Sequence, residues 1–121
     1  MPELEFTFDP ERLDLAAIHG FLAGTYWSPG IPFDVVRRAV EGSLCIAAMA
    51  EGRLVAFARL VTDRATFAYL ADVFVLPPFR GQGVSRQMLA QLFAHPDVQG
   101  LRRMIWILRQ RRQGRRGRDE G

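Results

Sequence analysis

The chain has 121 residues, of which 49% are hydrophobic and 24% are charged, a composition typical of one soluble globular domain. No apolar run approaches the roughly 18 residues that span a membrane. The acidic start of the chain has neither the basic nor the apolar region of a signal peptide. These features argue against a membrane protein and against a disordered chain, so we expect no membrane association.

Arginine supplies all sixteen basic side chains, and these are unevenly distributed. Residues 1–108 hold ten arginines against eleven acids, a net charge of −1, whereas residues 109–121 hold six arginines against two acids, a net charge of +4. The basic balance therefore comes from the last thirteen residues, and the body of the chain is close to neutral. We do not expect nucleic acid to bind the folded body.

The single cysteine, Cys45, lies in an apolar run and cannot form an intrachain disulfide. A lone thiol of this kind is typical of a reducing compartment, so we predict a cytoplasmic location. Cationic side chains that would lower its pKa are absent from its neighbourhood in sequence, so we expect an inert thiol rather than a nucleophile. We predict no metal site.

The first part of the chain predicts one strand followed by two helices. Residues 4–8 alternate between apolar and polar side chains, as a strand does. Asp14 is a plausible N-cap for a helix that ends near Gly24, and His19 on that helix is interpreted as half-exposed rather than catalytic. An aromatic loop follows, and Asp34 is predicted to cap a second helix.

The second part of the chain predicts a strand meander, a third helix and a last strand. Two apolar runs joined by Glu51-Gly52 indicate a tight antiparallel hairpin, with the glycine at positive φ. Residues 66–76 read as a third long strand, residues 85–94 as a helix and residues 101–108 as a strand. This order predicts an α/β domain with a mixed, largely antiparallel sheet and helices on both faces.

The segment from Val73 to Leu89 changes character twice over a short distance. Its strand stops at Pro77-Pro78, and the chain then turns through two glycines into a helix. Glycines let backbone amides converge on one point, and the first turn of a helix adds unpaired amides and the positive end of its dipole. Such a segment binds phosphate, and Arg80 can add a charge-assisted contact. Taken alone, the same residues also fit an ordinary strand-to-helix turn.

The stretch Arg-Gly-Gln-Gly-Val-Ser, residues 80–85, resembles the signature of the GNAT superfamily, the acyl-CoA-dependent N-acyltransferases. Ser85 stands where that family prefers Gly or Ala. The stretches "YWSPGIP", "FARLVTD" and "ATFAYLADVFV" extend the resemblance, which is closest to a bacterial GNAT subfamily. The resemblance implies acetyl-CoA as co-substrate and a primary amine as acceptor. It implies a CoA site made by the backbone of Val73, Phe74 and Val75 for pantetheine and of Arg80, Gly81, Gln82, Gly83, Val84 and Ser85 for the pyrophosphate.

The same resemblance suggests catalytic and acceptor-binding residues. Family chemistry needs a group that takes the amine proton and a donor for the leaving thiolate. Asp72 is our candidate for binding an ammonium group or relaying its proton, although it fits equally a carboxylate that caps a loop or pairs with an arginine. Tyr69 is the second candidate catalytic residue. Tyr26 and Trp27 are candidates for lining the acceptor pocket, and they also fit an aromatic plug of packed side chains.

The resemblance ends near residue 108. The family segment that supplies a tyrosine to the CoA sulfur has no counterpart in residues 109–121, which are rich in arginine and glycine and are predicted to be disordered. A shifted reading frame, a solvated terminus and a dedicated basic appendage each explain this tail. We expect a GNAT-like domain at residues 1–108, reduced activity, and a homodimer through the exposed last strand. The alternative function is a non-catalytic protein that binds CoA, or nucleic acid through the tail.

Overall fold

The computed structural model describes residues 3–106, and the predicted tail at 109–121 lies outside the described residues together with positions 1–2 and 107–108. Three helices and five strands make up the described fold. In chain order they are β1 (Leu4–Thr7), α1 (Leu15–Leu22), α2 (Phe33–Glu41), β2 (Leu44–Ala50), β3 (Arg53–Thr62), β4 (Phe67–Val75), α3 (Val84–Phe93) and β5 (Arg103–Trp106). None of the helices described between residues 3 and 106 has the length and apolarity needed to cross a bilayer.

Within the described residues, the strands form one sheet in the order β1-β2-β3-β4-β5. The first four strands pair antiparallel to their neighbours, and β5 pairs parallel to β4. The parallel pair requires a crossover connection, which α3 provides. The predicted mixed and largely antiparallel sheet is therefore confirmed.

The sheet carries a hydrophobic layer on each face. On one face, α3 packs through Val84, Met88 and Leu92 against the small and aliphatic side chains of the strands. On the other face, α1 and α2 form a second cluster around Phe57 and Phe74. Helices on both faces follow from the sequence because each strand of the meander is apolar on both sides. This prediction is also confirmed.

The predicted elements are present in the structure, with described ends that differ by up to two residues, and the predicted helix cap is correct at α1 but not at α2. Asp14 does cap α1, accepting a hydrogen bond from the Ala17 amide at 3.0 Å. The prediction that Asp34 caps α2 was wrong, because Pro32 is the N-cap and Asp34 lies in the first turn. There the carboxylate pairs with Arg37 and Arg38 on the exposed helix surface and still complements the helix dipole.

The hairpin between β2 and β3 has two residues at positive φ, Glu51 at 52° and Gly52 at 79°. Both values belong to a turn of type I′, whose twist matches that of the flanking strands. The sequence predicted the positive φ at the glycine. The conformation of Glu51 is imposed by the strand pairing on either side.

A bulge in β4 changes which face its side chains reach. Arg59 lies opposite Asp72, and the next residue of β3, Leu60, lies opposite Leu70, so Ala71 is an extra residue in β4. Leu70 accordingly belongs to the core on the α3 side, while Phe74 belongs to the core beneath α1 and α2. The bulge therefore turns Asp72 towards the side of the sheet that carries α1 and α2.

The last strand leaves apolar side chains on the surface. Met104 is 39% exposed and Ile105 is 37% exposed on β5, at the edge of the sheet described here. These side chains are the ones that the predicted homodimer would cover. The homodimer itself stays a prediction.

Candidate active site

The turn between β4 and α3 has the backbone conformation that its glycines allow. A short 3₁₀ turn, Pro77–Phe79, ends β4, and Gly81 and Gly83 then adopt left-handed conformations with φ of 75° and 79°. Gly83 is the N-cap of α3 and provides no side chain to cap the helix. The left-handed region is costly for residues with a Cβ, so both positions favour glycine.

Each backbone amide from Gly81 to Arg86 lacks a protein acceptor within the described residues. The turn before them is closed by hydrogen bonds from the amides of Phe79 and Arg80, and the helical pattern begins only with the Gln87 amide, which donates to the Gly83 carbonyl at 3.1 Å. We call the backbone from Gly81 to Arg86 the amide cradle. A run of unpaired donors at a helix N-terminus is suited to an anion such as phosphate.

Residues 3–106 leave the space next to Gly81 and Gly83 open. A Cβ placed on Gly81 would have no atom within 4 Å, and one on Gly83 would meet only the side-chain amide of Gln87 at 4.0 Å. Arg80 is exposed, and its Nε donates to the Val75 carbonyl at 2.7 Å. This bond holds the guanidinium beside the cradle and leaves its Nη groups without an acceptor among residues 3–106.

The end of β4 next to the cradle presents an open edge. The Leu76 amide donates to the Val55 carbonyl of β3 at 2.8 Å. Because antiparallel residues bond to a given neighbour at every second position, the backbone groups of Val73 and Val75 point to the opposite edge. Within the described residues, β5 pairs with β4 only from Phe67 to Leu70. An extended amide chain can therefore approach Val73 and Val75 as an added strand would.

Asp72 lies in a polar network rather than in open space. It is 6% exposed. Its Oδ2 accepts from the Nε of Arg59 at 2.7 Å, and its Oδ1 accepts from the Nε1 of Trp27 at 3.0 Å. Arg59 also donates from Nη1 to the Ser43 hydroxyl at 3.1 Å, and that hydroxyl donates to the Ala39 carbonyl at 2.7 Å. We call the side chains of Trp27, Asp72, Arg59 and Ser43 the clasp.

Arg59 and Ser43 were missed by the sequence reading, although the sequence contained a signal for one of them. Arg59 is a cation in the interior of the otherwise apolar run that became β3, which begins at the exposed Arg53. A charge on a buried strand needs a partner, and Asp72 is the buried acid of the neighbouring strand. The pairing with an arginine that the sequence left open for Asp72 is present in the structure. A direct role for its carboxylate towards an amine stays a prediction.

The three aromatic candidates differ in how they relate to the clasp. Tyr69 is half-buried on β4, before the bulge, and Trp27 is half-buried and packs against the core beneath α1 and α2. Tyr26 is 62% exposed and contacts Trp27 edge to face, with ring centroids 5.3 Å apart. The structure thus brings Trp27 to Asp72 and leaves Tyr26 on the surface beside it.

Cys45 and His19 lie in surroundings that favour structural rather than catalytic roles. Burial raises the pKa of the Cys45 thiol to about 12, which favours the inert thiol that the sequence predicted. His19 is half-buried, and its Nε2 donates to the Ile31 carbonyl at 2.9 Å. Between residues 3 and 106, no group of His, Cys, Asp or Glu side chains is placed to hold a metal ion.

Comparisons with known proteins identify the family and the fold of the chain. A model of the acetyltransferase (GNAT) family matches residues 7–115. The crystal structure of a GNAT-family protein from Xanthomonas campestris pv. campestris, described as a candidate acetyltransferase, is 46% identical with a TM-score of 0.86. That alignment covers 90% of this chain and 78% of the Xanthomonas chain.

Two further similarities are more distant. A protein of Gibberella zeae, named as a candidate acetyltransferase, is 30% identical over 101 residues, which cover 67% of this chain and 57% of that protein. The chain thus spans a little over half the length of this curated relative. An aminoglycoside N-acetyltransferase solved with CoA is 22% identical, with a TM-score of 0.68 over 90% of this chain and 79% of that chain. At this identity the likeness is one of fold. The match to the family model covers most of the sequence, and the chain belongs to the GNAT acetyltransferase family.

Proposed function

We propose that the protein transfers an acetyl group from acetyl-CoA to a primary amine. The observation that carries this proposal is the amide cradle, whose unpaired donors from Gly81 to Arg86 face a turn that its glycines keep open. A diphosphate bears the negative charge that such donors and a helix N-terminus stabilise. Membership of the GNAT family supports acyl-CoA as the source of that diphosphate.

The extended part of the co-substrate fits the exposed edge of β4. Pantetheine contains two amide groups, which can pair with the backbone of Val73 and Val75 as a neighbouring strand would. This pairing would bring the thioester towards the bulge at Ala71. There the strand changes face beside Asp72 and Tyr69.

The proposed reaction forms one bond and breaks another. The amine nitrogen attacks the thioester carbonyl, a C–N bond forms, and the C–S bond breaks as CoA leaves as thiolate. The amine loses a proton to a base or to water, and the thiolate takes up a proton. We propose Tyr69 as the side chain nearest to these transfers, Asp72 as its neighbour on β4 held in the clasp, and Tyr26 and Trp27 as part of the acceptor site. The free, buried thiol of Cys45 supports a reducing compartment, and we propose the cytoplasm.

Titration calorimetry of acetyl-CoA tests the cradle directly. The substitution Gly83→Val places a β-branched side chain at a φ of 79° and in the path of the diphosphate. We expect CoA affinity to fall at least tenfold. Gly100→Val is the matched control, because Gly100 has a φ of 73° and open space around it but lies outside the cradle. It should show similar backbone strain and unchanged CoA affinity.

Two results of these binding measurements would overturn the proposal. Absence of acetyl-CoA binding by the unsubstituted protein, or equal affinity in the Gly83→Val variant, would exclude the cradle as the CoA site. A panel of primary amines, with release of the CoA thiol as the readout, then identifies the acceptor class. Cys45 is buried and should not interfere with thiol detection.

A further inference from the structure

We infer that Asp72 is a positioning residue, which ties the loop between α1 and α2 to β4 and thereby fixes the acceptor site. This inference deepens the proposed transferase function and rests on it for the identity of the acceptor site. The loop comprises residues 23–32, between the last residue of α1 and the first residue of α2. We call it the acceptor loop.

Side-chain hydrogen bonds attach the acceptor loop to the rest of the fold near its start, at Trp27 and near its end, and the first of them runs from the Thr25 hydroxyl to the Leu22 carbonyl at 2.7 Å. Trp27 donates to Asp72 across 45 positions of sequence, at 3.0 Å. His19 donates to the carbonyl of Ile31, near the other end of the loop, at 2.9 Å. The loop is also closed on itself by the Gly30 amide, which donates to the Ala23 carbonyl at 3.0 Å. These bonds define one loop conformation, with Trp27 as its link to the sheet.

The geometry of Asp72 favours this role over direct contact with an amine. Each carboxylate oxygen already accepts a hydrogen bond, and the side chain is 9% exposed. The positive charge beside it belongs to Arg59, whose side chain is 18% exposed and is itself held by Ser43. Because the side chain is only 9% exposed, the carboxylate offers a cationic substrate little access beside Arg59 and Trp27, and displacing either of them would leave a donor unpaired.

We expect this arrangement to affect binding of the amine acceptor rather than binding of CoA. The clasp lies on the face of the sheet that carries α1 and α2, and the amide cradle is built from the backbone of a separate segment, Gly81 to Arg86. Trp27 in turn supports the exposed ring of Tyr26 through an edge-to-face contact. Breaking the hydrogen bonds of the clasp should therefore weaken amine binding and leave CoA binding unchanged.

Hydrogen exchange of the acceptor loop is the first test. Trp27→Phe keeps an aromatic ring and removes the Nε1–H donor. We expect the protected amides of Gly30 and Ile31 to exchange at least tenfold faster in this variant, with no change in α3. Unchanged exchange at these amides would overturn the inference. This readout needs no ligand, so it remains decisive even where the protein fails to bind CoA.

A rescue experiment separates positioning from direct catalysis. Asp72→Asn keeps an oxygen for Trp27 but sets an amide donor against Arg59. Combining Asp72→Asn with Arg59→Met removes that conflict, because both side chains are then neutral. With the amine that gives the most thiol release in the panel, we expect Asp72→Asn to raise the amine KM about tenfold at unchanged acetyl-CoA KM. The double variant should recover both the KM and the slow loop exchange.

One outcome of the rescue experiment would contradict the positioning role of Asp72. A double variant with native loop exchange and no recovered turnover would show that the carboxylate itself acts on the substrate. Arg64→Met serves as the control for loss of a paired arginine, since Arg64 bonds Asp97 on the surface at 2.9 Å, away from the clasp. If no amine in the panel is turned over, exchange in the Trp27→Phe and double variants decides the inference.

Discussion

The amide cradle and the clasp differ in how far the protein satisfies its own polar groups. In the cradle, backbone donors from Gly81 to Arg86 have no acceptor among the described residues. In the clasp, both oxygens of Asp72 and two nitrogens of Arg59 are bonded within the protein. Unpaired donors at the surface are available to a ligand, whereas a satisfied buried network stabilises a conformation. This difference supports the two proposals, ligand binding by the cradle and positioning by the clasp.

The largest effect expected from this comparison is on folding stability. Asp72→Ala leaves the half-buried guanidinium of Arg59 without its partner; breaking a fully buried pair costs about 3–5 kcal/mol, and the 18% exposure of the Arg59 side chain favours the lower end of that range. We expect a loss of this size in the free energy of unfolding, measured by denaturant titration, with little change in CoA affinity where the variant is folded. A loss below about 1 kcal/mol would contradict the structural role given to the pair.

An intermediate effect is expected from Arg80, the residue that directly precedes the cradle. Arg80→Ala removes a cation that the Val75 carbonyl holds beside the unpaired amides. We expect acetyl-CoA to bind about tenfold more weakly, in keeping with one exposed charge-assisted contact. The difference should shrink at high salt, because an exposed contact is screened. Arg64→Ala, at the turn between β3 and β4, is the control, and an equal loss of affinity there would refute a local effect.

The smallest effect concerns the thiol that lies opposite Arg59 in the register of the sheet. Burial raises the pKa of Cys45 from 9.0 to about 12, so the folded protein keeps its proton where the unfolded chain releases it. The unfolded state binds fewer protons above pH 9, and stability should therefore fall as the pH rises from about 9 towards 12.

Comparison of pH slopes isolates this contribution. The free energy of unfolding is measured by denaturant titration at pH 8 and pH 10 for the unsubstituted protein and for Cys45→Ala. All ionisable groups other than Cys45 are present in both proteins, so the difference in pH dependence reports the thiol. We expect a shallower slope for the variant, whatever its absolute stability. Identical slopes would show that the thiol ionises alike in both states.

The sequence was informative about the cradle because the cradle is local. Prolines, glycines and the following helix are neighbours in the chain, and each conformation depends on a few adjacent residues. The sequence predicted only part of the clasp. Asp72 was singled out, and an arginine partner was left open without a name, because Trp27 and Arg59 reach it from 45 and 13 positions away.

By itself, the sequence determined the order of the strands and helices along the chain, the layered fold and the position of the glycine turn that we propose as the phosphate site. These follow from periodicity and from backbone preferences, which act over short distances. Tertiary structure decided the direction in which Asp72 points. Strict alternation along β4 would place Asp72 on the same face as Leu70, but the extra residue at Ala71 reverses the alternation. A bulge depends on the pairing of two strands, so no pattern within β4 alone reports it.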